Sequence, residues 1–245
     1  MPIVDLQPQL PTAFRLRLGA TEKAVSQAGK EFAKPKHLGG QLRATSPIRS
    51  VVDSIQEAYN GEGVIEWQRD GSREWSTLLP ARPLRVILVP GSSLSQWWEH
   101  WSGGTCDRRC DGVMDHLRGC PCTCPPPEER VDRQHHCIPK SRITLILPRM
   151  AMLCAGRLDT GSRIAAASLA GTMAASAMLL DSGVLLSATL KIGFRNKGRS
   201  HYVYPEIVID GAADKTALAA APRRTEIGPA EDVDIETGEI VGEEP

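Results

Sequence analysis

Cysteines crowd into one short stretch of this chain, and that crowding constrains the fold more than any other feature. Six of the seven cysteines lie between residues 106 and 137. An odd count, and an N-terminus without a basic or an apolar region, argue against the disulfide framework of a secreted protein. We therefore expect a cytoplasmic protein, in which the same crowding indicates a metal site.

The spacing of the cysteines supplies ligands in pairs. One pair is Cys106 and Cys110, and a second pair, Cys122 and Cys124, lies on a proline-rich turn. Zn²⁺ takes four soft ligands in a tetrahedron, and a stretch this polar needs a metal to order it. We predict a structural zinc ion held by Cys106, Cys110, Cys122 and Cys124, with Cys137 as an alternative for one place.

Other interpretations of this stretch stay open. Cys120 is a further thiol in it, and His135 and His136 offer imidazole ligands. A redox relay or simple free thiols would use the same cysteines without a metal. Cys154 lies apart in a run typical of a β-strand, so we expect it to be a small core residue.

Three tryptophans and two arginines flank the first cysteines. The four-residue spacing of Trp97 and Trp101 predicts one face of a short helix. The tryptophans either cover the zinc lobe and the seam between the two halves, or they anchor a partner protein, since Trp and Arg dominate binding hot spots. The candidate partner-binding residues are Trp97, Trp98, Trp101, Arg108 and Arg109.

Similar patterns of strands and helices lie on either side of the cysteine-rich stretch. Ser46 and Pro47 start a helix whose apolar residues recur at helical spacing until Asn60, and a second cap cluster ends at Ser162. Each helix follows strands and precedes a hairpin. The pattern predicts an α+β fold built as a tandem repeat of a β-β-α-β-β unit, although two generic patterns could also look alike by chance.

These observations divide the chain into four regions. Residues 1–91 form the first repeat, 92–140 the Trp/Cys-rich zinc-binding insert, and 141–210 the second repeat. Residues 211–245 form a tail that we expect to be disordered, because it is Ala-rich and then acidic.

The charges are distributed unevenly along the chain. Lys plus Arg and Asp plus Glu both number 29, but eight of the acidic residues lie in 225–245, which has no basic residue. The remaining body is therefore basic, which suggests work near nucleic acid, while the tail could simply aid solubility. No apolar run is long enough to cross a membrane, so we expect no membrane partner.

Motifs for catalysis are absent from the sequence. It contains neither a phosphate-binding GxxxxGK[ST] loop, nor HExxH, nor GxSxG. A zinc ion closed by four cysteines has no open position for a hydrolytic water. We therefore expect no enzyme, and a metallohydrolase is disfavoured.

Several motifs together resemble one known family. The Trp/Cys run is the most specific part, and the resemblance extends in patches to about residue 210. The motifs are Met1–Gln7, Thr45–Val51, Gln96–Gly104, Cys106–Gly112, Pro121–Pro125 and the later Cys137. In these motifs the chain resembles the recombination directionality factors of Streptomyces-type actinophages.

The resemblance implies a function without catalysis. Such factors bind a large serine integrase on DNA, enable excision from hybrid attachment sites and suppress integration. The chain would then act in the bacterial host cell and meet DNA indirectly or non-specifically through the integrase complex. A zinc-containing nucleic-acid-binding accessory protein of phage replication is the alternative, and it would need exposed aromatic residues on a basic groove.

Overall fold

Strands dominate the computed structural model, which describes residues 12–25, 29, 31–69, 72–89, 93–102, 104–126, 129–130, 135–150, 154–179, 184–197 and 200–213. Fifteen strands and two helices lie in these ranges, and the predicted α+β class is confirmed. The helices are α1 (Arg49–Tyr59) and α2 (Arg163–Met178). The strands are β1 (Thr12–Arg17), β2 (Gly19–Val25), β3 (Glu31–His37), β4 (Leu42–Ser46), β5 (Ile65–Arg69), β6 (Ser72–Leu79), β7 (Leu84–Leu88), β8 (Leu94–Ser102), β9 (Thr105–Cys110), β10 (Met114–Asp115), β11 (Cys120–Pro121), β12 (Ile138–Ile146), β13 (Ala155–Thr160), β14 (Leu186–Lys197) and β15 (Ser200–Ala212).

One large sheet contains thirteen of these strands. Ten of them run in the order β11-β10-β9-β8-β12-β13-β1-β4-β6-β5, while β7 pairs with both β12 and β14, and β14 pairs with β15. The cysteine-rich stretch therefore extends the same sheet that holds strands from both flanking regions. The four-region division stays a prediction.

Helix α1 ends as predicted but begins later. Ser46 stays in β4, where its Oγ accepts the backbone N–H of Ile48 at 3.1 Å, and the helix starts at Arg49 rather than at Pro47. Asn60 has a φ of 53°, and this left-handed conformation ends the helix. The residues that α1 buries in the core follow the predicted apolar spacing and are Val51, Val52, Ile55 and Tyr59.

Helix α2 begins at the predicted cap. The Ser162 Oγ accepts the backbone N–H of Ala165 at 3.3 Å, which satisfies a donor of the first turn. The helical spacing of the sequence predicts an inner face of α2 that consists of Leu169, Met173, Ser176 and Leu180. Of these residues, Leu169 and Ser176 are buried, Met173 is half-buried, and Leu180 lies outside the described residues. The two helices contribute to a single apolar core on one face of the sheet.

A parallel pairing of β1 with β13 joins the two halves of the chain at the middle of the sheet. Phe14 lies opposite Gly156, and its ring fills the space where a side chain at Gly156 would stand. A Cβ placed on Gly156 would lie 2.0 Å from the Phe14 Cε2 atom. Strand β4 flanks this pair on one side and β12 on the other.

The predicted tandem repeat is not confirmed. Each half places strands, a helix and a hairpin in the same order. The first hairpin joins the sheet through β6 and β4, the strand before α1, whereas the second joins through β14 and β7, a strand from the other half.

The Lys- and Gly-rich composition of residues 29–40 predicts a basic loop, but the structure contradicts this prediction over much of that length. Strand β3 occupies residues 31–37 and pairs with β2 in a separate two-stranded sheet. A Lys- and Gly-rich composition thus does not prevent a hairpin here.

Candidate metal centre

A small lobe at the end of the large sheet carries most of the cysteines. It consists of β9, β10, β11 and the segment that follows to residue 126. Two aspartates shape its turns: Asp111 accepts the backbone N–H of Val113 at 2.9 Å, and the buried Asp115 accepts those of Arg109 and Leu117. The lobe is therefore ordered by local hydrogen bonds as well as by strand pairing.

Three of the predicted ligands meet in this lobe. The sulfur atoms of Cys110, Cys122 and Cys137 all lie within 4.8 Å of one another. Cys110 ends β9, Cys137 directly precedes β12, and the backbone N–H of Cys122 donates to the carbonyl of Val113 at 2.7 Å. Cys137, which the sequence offers only as an alternative, is thus central to the cluster.

Cys124 lies next to Cys137, one of these three cysteines. Its sulfur accepts the backbone N–H of Cys137 at 3.2 Å. Burial, together with the neighbouring thiols of Cys124 and Cys110, raises the pKa of the Cys137 thiol. Neighbouring thiols resist losing their protons together, because the thiolates would repel each other. A bound divalent cation removes this repulsion.

Cys106 is not brought to this cluster. A β-bulge between His100 and Trp101 shifts the register of β8 against β9, so Cys106 faces the opposite side of the sheet from Cys110. Its thiol donates to the carbonyl of Arg108 at 3.3 Å, and burial followed by the charge of Glu99 raises its pKa.

The remaining cysteines and histidines lie around the cluster without joining it. Cys120 is exposed on β11, and Cys154 is half-buried against the apolar core, in agreement with its prediction as a core residue. The Nδ1 atom of His136 is buried and has no hydrogen-bond partner among the described residues. Neither His135 nor His136 joins the group of three cysteines.

A buried arginine lies beside the cysteines. Arg130 is 1% exposed, and its guanidinium group donates to the carbonyls of Pro125 and Gly112 and lies 3.5 Å from the Cys110 sulfur. The ring of Trp98 covers its other side at 4.7 Å. In the described part of the chain, no carboxylate forms an ion pair with Arg130.

The charges around the cluster fit a metal held by thiolates. A buried guanidinium group stays protonated and needs an opposite charge nearby. Four cysteine thiolates around one divalent ion supply this negative charge, because their four charges exceed the two positive charges of the ion. Arg108 adds a second cation, with Nη1 lying 3.6 Å from the Cys124 sulfur. Cys110, Cys122, Cys137 and the adjacent Cys124 could thus hold a metal ion.

The predicted tryptophan helix is wrong, because the three tryptophans belong to β8. In that strand Trp98 faces the lobe and packs on Arg130, while the ring of Trp97 meets the ring of His116 edge-on at 5.1 Å. Trp101 follows the bulge and is 47% exposed. Pairing with β9 and β12 therefore overrides the helical spacing of these residues.

A comparison with models of known protein families identifies the family of this chain. The family model described as Gp3-like, recombination directionality factor-like, matches residues 15–210. The chain belongs to this family. The match includes the lobe and both halves of the sheet, and it confirms the resemblance found in the motifs.

Membership supports an accessory role in recombination for this directionality factor-like protein. No curated protein and no solved structure matches the chain. Within the described residues, no helix is long and apolar enough to cross a membrane.

Sequence patterns did not single out Glu99, a fully buried carboxylate of this directionality factor-like protein. It accepts hydrogen bonds from Arg142 at 2.7 Å, Arg109 at 2.9 Å and Trp101 at 3.0 Å. Burial alone raises the pKa of Glu99, but these hydrogen bonds and positive charges together lower it below its ordinary value. Glu99 thus ties β8, β9 and β12 together, and its only sequence signal is a carboxylate within an aromatic run.

Proposed function

We propose that this protein is a recombination directionality factor that binds a phage large serine integrase on DNA. It enables recombination between hybrid sites, suppresses integration and performs no catalysis itself. The observation that carries this proposal is the family match over residues 15–210. The site of action is the cytoplasm of the bacterial host.

The factor acts by a shift of population. It binds the integrase arrangement that pairs hybrid sites more tightly than the one that pairs phage and bacterial sites. A difference of about 3 kcal/mol in binding free energy changes the ratio of the two arrangements more than a hundredfold. No covalent step by the factor is needed.

A structural zinc ion holds the lobe in this proposal. Its four ligands are Cys110, Cys122, Cys124 and Cys137, and Cys106 is left out because its thiol faces the other side of the sheet. Cysteine sulfur suits zinc, and four protein ligands close its tetrahedron. The integrase would then meet a preformed surface, which lowers the entropy cost of binding.

The contact surface in this proposal lies on the exposed side of the lobe. Val113 is 73%, Trp101 47% and Leu117 44% exposed. Exposed apolar residues around an ordered lobe are typical of a protein-binding surface. Trp97 and Trp98 pack inside, and Arg108 and Arg109 bond to Cys124 and Glu99, so these four act by positioning the lobe.

The polar face of the sheet assists by contact with DNA. The strand registers place five arginines on that face. Three of them already form ion pairs, with Glu74, Glu99 or Asp159. Non-specific contact of this face with phosphates would therefore be weak, and it would weaken further as salt concentration rises. This face is also the one observation that favours the alternative, a nucleic-acid-binding accessory protein of phage replication. The arginines are Arg15, Arg17, Arg43, Arg142 and Arg157.

A recombination assay tests the proposal. The purified full-length protein is mixed with a serine integrase encoded near it and with DNA that carries the hybrid left and right sites. Excision should occur only when the protein is present, and integration between phage and bacterial sites should fall. If there is no excision and no complex with the integrase on a sizing column, the proposal is wrong; tight binding to single-stranded DNA would then favour the accessory role.

A further inference from the structure

A cleft of about 430 Å³ lies at the end of α1, away from the cysteine lobe. Its walls come from Tyr59, from the start of β7 and from the turn after β12. The floor is largely apolar, with Pro83, Val86, Ile87 and Pro148 among its residues. The proposed integrase surface uses none of these residues.

Three arginines surround this cleft. Arg82, Arg85 and Arg149 are exposed, and none of the described residues that line the cleft carries a carboxylate. Among described residues, none of the three forms an ion pair. A concave surface with cations at its rim concentrates anions.

Two of the arginines are held in place before any ligand arrives. Arg82 donates to the backbone carbonyl of Tyr59 at 3.0 Å, and the Arg149 guanidinium lies 5.5 Å from the centre of the Tyr59 ring. The backbone N–H of Arg149 also donates to the Tyr59 hydroxyl at 3.2 Å. Positioned cations over an apolar floor suit a peptide that alternates carboxylates with aliphatic side chains, more than a small inorganic anion.

The chain leaves the described fold at the mouth of this cleft. Ala213 lines the cleft, and its backbone N–H donates to the carbonyl of Leu185 at 2.7 Å. The sequence from Glu231 to Glu236 reads EDVDIE, in which acidic residues surround Val233 and Ile235. Fully extended, the stretch from Ala213 to Glu231 spans about 60 Å at about 3.3 Å per residue, so it can return to the cleft.

We propose that residues 231–236 bind in this cleft. Their carboxylates pair with Arg82, Arg85 and Arg149, while Val233 and Ile235 lie on the apolar floor. Because the segment is tethered, its effective concentration at the cleft is about 1 mM. With an intrinsic Kd of about 100 µM, the ratio of occupied to empty cleft would be about ten to one. The cleft is therefore a site for acidic peptides that this chain itself occupies.

Chemical modification of arginine by phenylglyoxal tests this directly on the full-length protein. We compare the wild type with a variant that carries Glu231→Gln, Asp232→Asn, Asp234→Asn and Glu236→Gln. Arg82, Arg85 and Arg149 should be modified about tenfold faster in this variant, because the cleft is then free. Arg73, at the far end of β6, should be modified at one rate in both proteins.

A matched variant separates docking from general attraction between opposite charges. It carries Glu226→Gln, Glu239→Gln, Glu243→Gln and Glu244→Gln, which remove four acidic charges outside the proposed segment, and it should leave the three cleft arginines protected. Equal modification rates of the cleft arginines in the wild type and in the fourfold variant would overturn the proposal. An equal increase in the modification rate of Arg73 in the fourfold variant would overturn it as well.

A labelled synthetic peptide of residues 226–245 provides the second test by fluorescence anisotropy. The peptide should bind the fourfold variant at low salt. Its affinity for the wild type should be about tenfold lower, because the wild type's own segment competes for the cleft. Adding Arg85→Gln to the fourfold variant should weaken binding, whereas adding Arg73→Gln should not. Equal affinity for these two proteins would contradict docking in the cleft. Neither test uses an integrase, so failure here is distinct from failure of the proposed function.

Discussion

The guanidinium group of Arg130 lies 3.5 Å from the sulfur of Cys110, and both side chains are almost completely buried. The ring of Trp98 covers the opposite side of this guanidinium. A cation so placed offsets the negative charge that cysteine ligands would leave around a metal ion. The metal centre and its counter-cation therefore behave as one unit.

We expect Arg130→Met to weaken zinc binding by about 10- to 100-fold, the effect typical of losing an outer-shell partner. Competition with a chromophoric chelator measures the affinity of the full-length protein. Arg118→Met, which removes a 53% exposed arginine from the same lobe, is the control and should leave the affinity unchanged. Equal affinities in the two variants would show that Arg130 does not stabilise the thiolates.

Serine substitutions should separate ligands from bystanders. Cys110→Ser, Cys122→Ser, Cys124→Ser and Cys137→Ser should each lose most of the bound zinc, because serine oxygen is a poor zinc ligand. Elemental analysis after dialysis gives the metal content per chain. Cys106→Ser and Cys120→Ser should keep their zinc. Loss of zinc from Cys106→Ser, with retention in Cys137→Ser, would instead restore the ligand set predicted from spacing.

Glu99→Gln should lower the free energy of unfolding by about 3 kcal/mol at pH 7, because it leaves Arg142 and Arg109 without their buried carboxylate. The folded-state pKa of Glu99 is lowered, so its contribution is complete above its ordinary value of about 4.5 and is lost as the pH falls through the folded-state pKa. Urea unfolding between pH 7 and pH 3 measures the difference between the two proteins. Zinc release in acid affects both alike, so a difference that stays constant with pH would contradict the role of Glu99.

Two glycine substitutions should change stability in opposite directions. Gly156→Ala forces a methyl group against the Phe14 ring and should cost about 1–3 kcal/mol in unfolding free energy. Gly171→Ala, within α2, meets no atom within 4 Å and should add up to about 1 kcal/mol through helix propensity. Urea denaturation measures both. Adding Phe14→Leu to Gly156→Ala should recover part of the loss, and no recovery would show that the ring is not its cause.

Trp101→Ala should reduce excision in the recombination assay at least about tenfold, the cost expected of a hot-spot residue. Since Trp101 also donates to Glu99, Val113→Asp serves as a second surface variant without that bond. Phe194→Ala, which removes a 59% exposed aromatic residue from the second hairpin, is the control. Full excision by both Trp101→Ala and Val113→Asp, with thermal stability unchanged, would place the integrase contact elsewhere.

Local patterns in the sequence were sufficient for the elements they govern directly. The apolar spacing of α1, its end at Asn60 and the cap at Ser162 all appear in the structure. These features depend on a few neighbouring residues, so a sequence read without tertiary contacts is enough. The crowding of the cysteines likewise indicated where ligands would meet.

Long-range pairing explains what the sequence did not show. Trp97 and Trp101 have helical spacing, yet β9 and β12 pair with their segment and make it a strand. The bulge after His100 then directs Cys106 away from Cys110. Neither Arg130 nor Glu99 has a local signal for burial. Arg130 contacts Cys110, which lies 20 residues away along the chain, and Glu99 contacts Arg142, which lies 43 residues away.

The parallel pairing of β1 with β13 has a consequence for synthesis on the ribosome. Strand β1 emerges early, but its neighbour at Ala155–Thr160 is translated much later. At about 5–20 residues per second, the early strand waits roughly ten seconds or more with one edge unpaired. Nascent chains of this protein thus expose that edge of β1 until β13 leaves the exit tunnel, and slower translation would prolong the exposure.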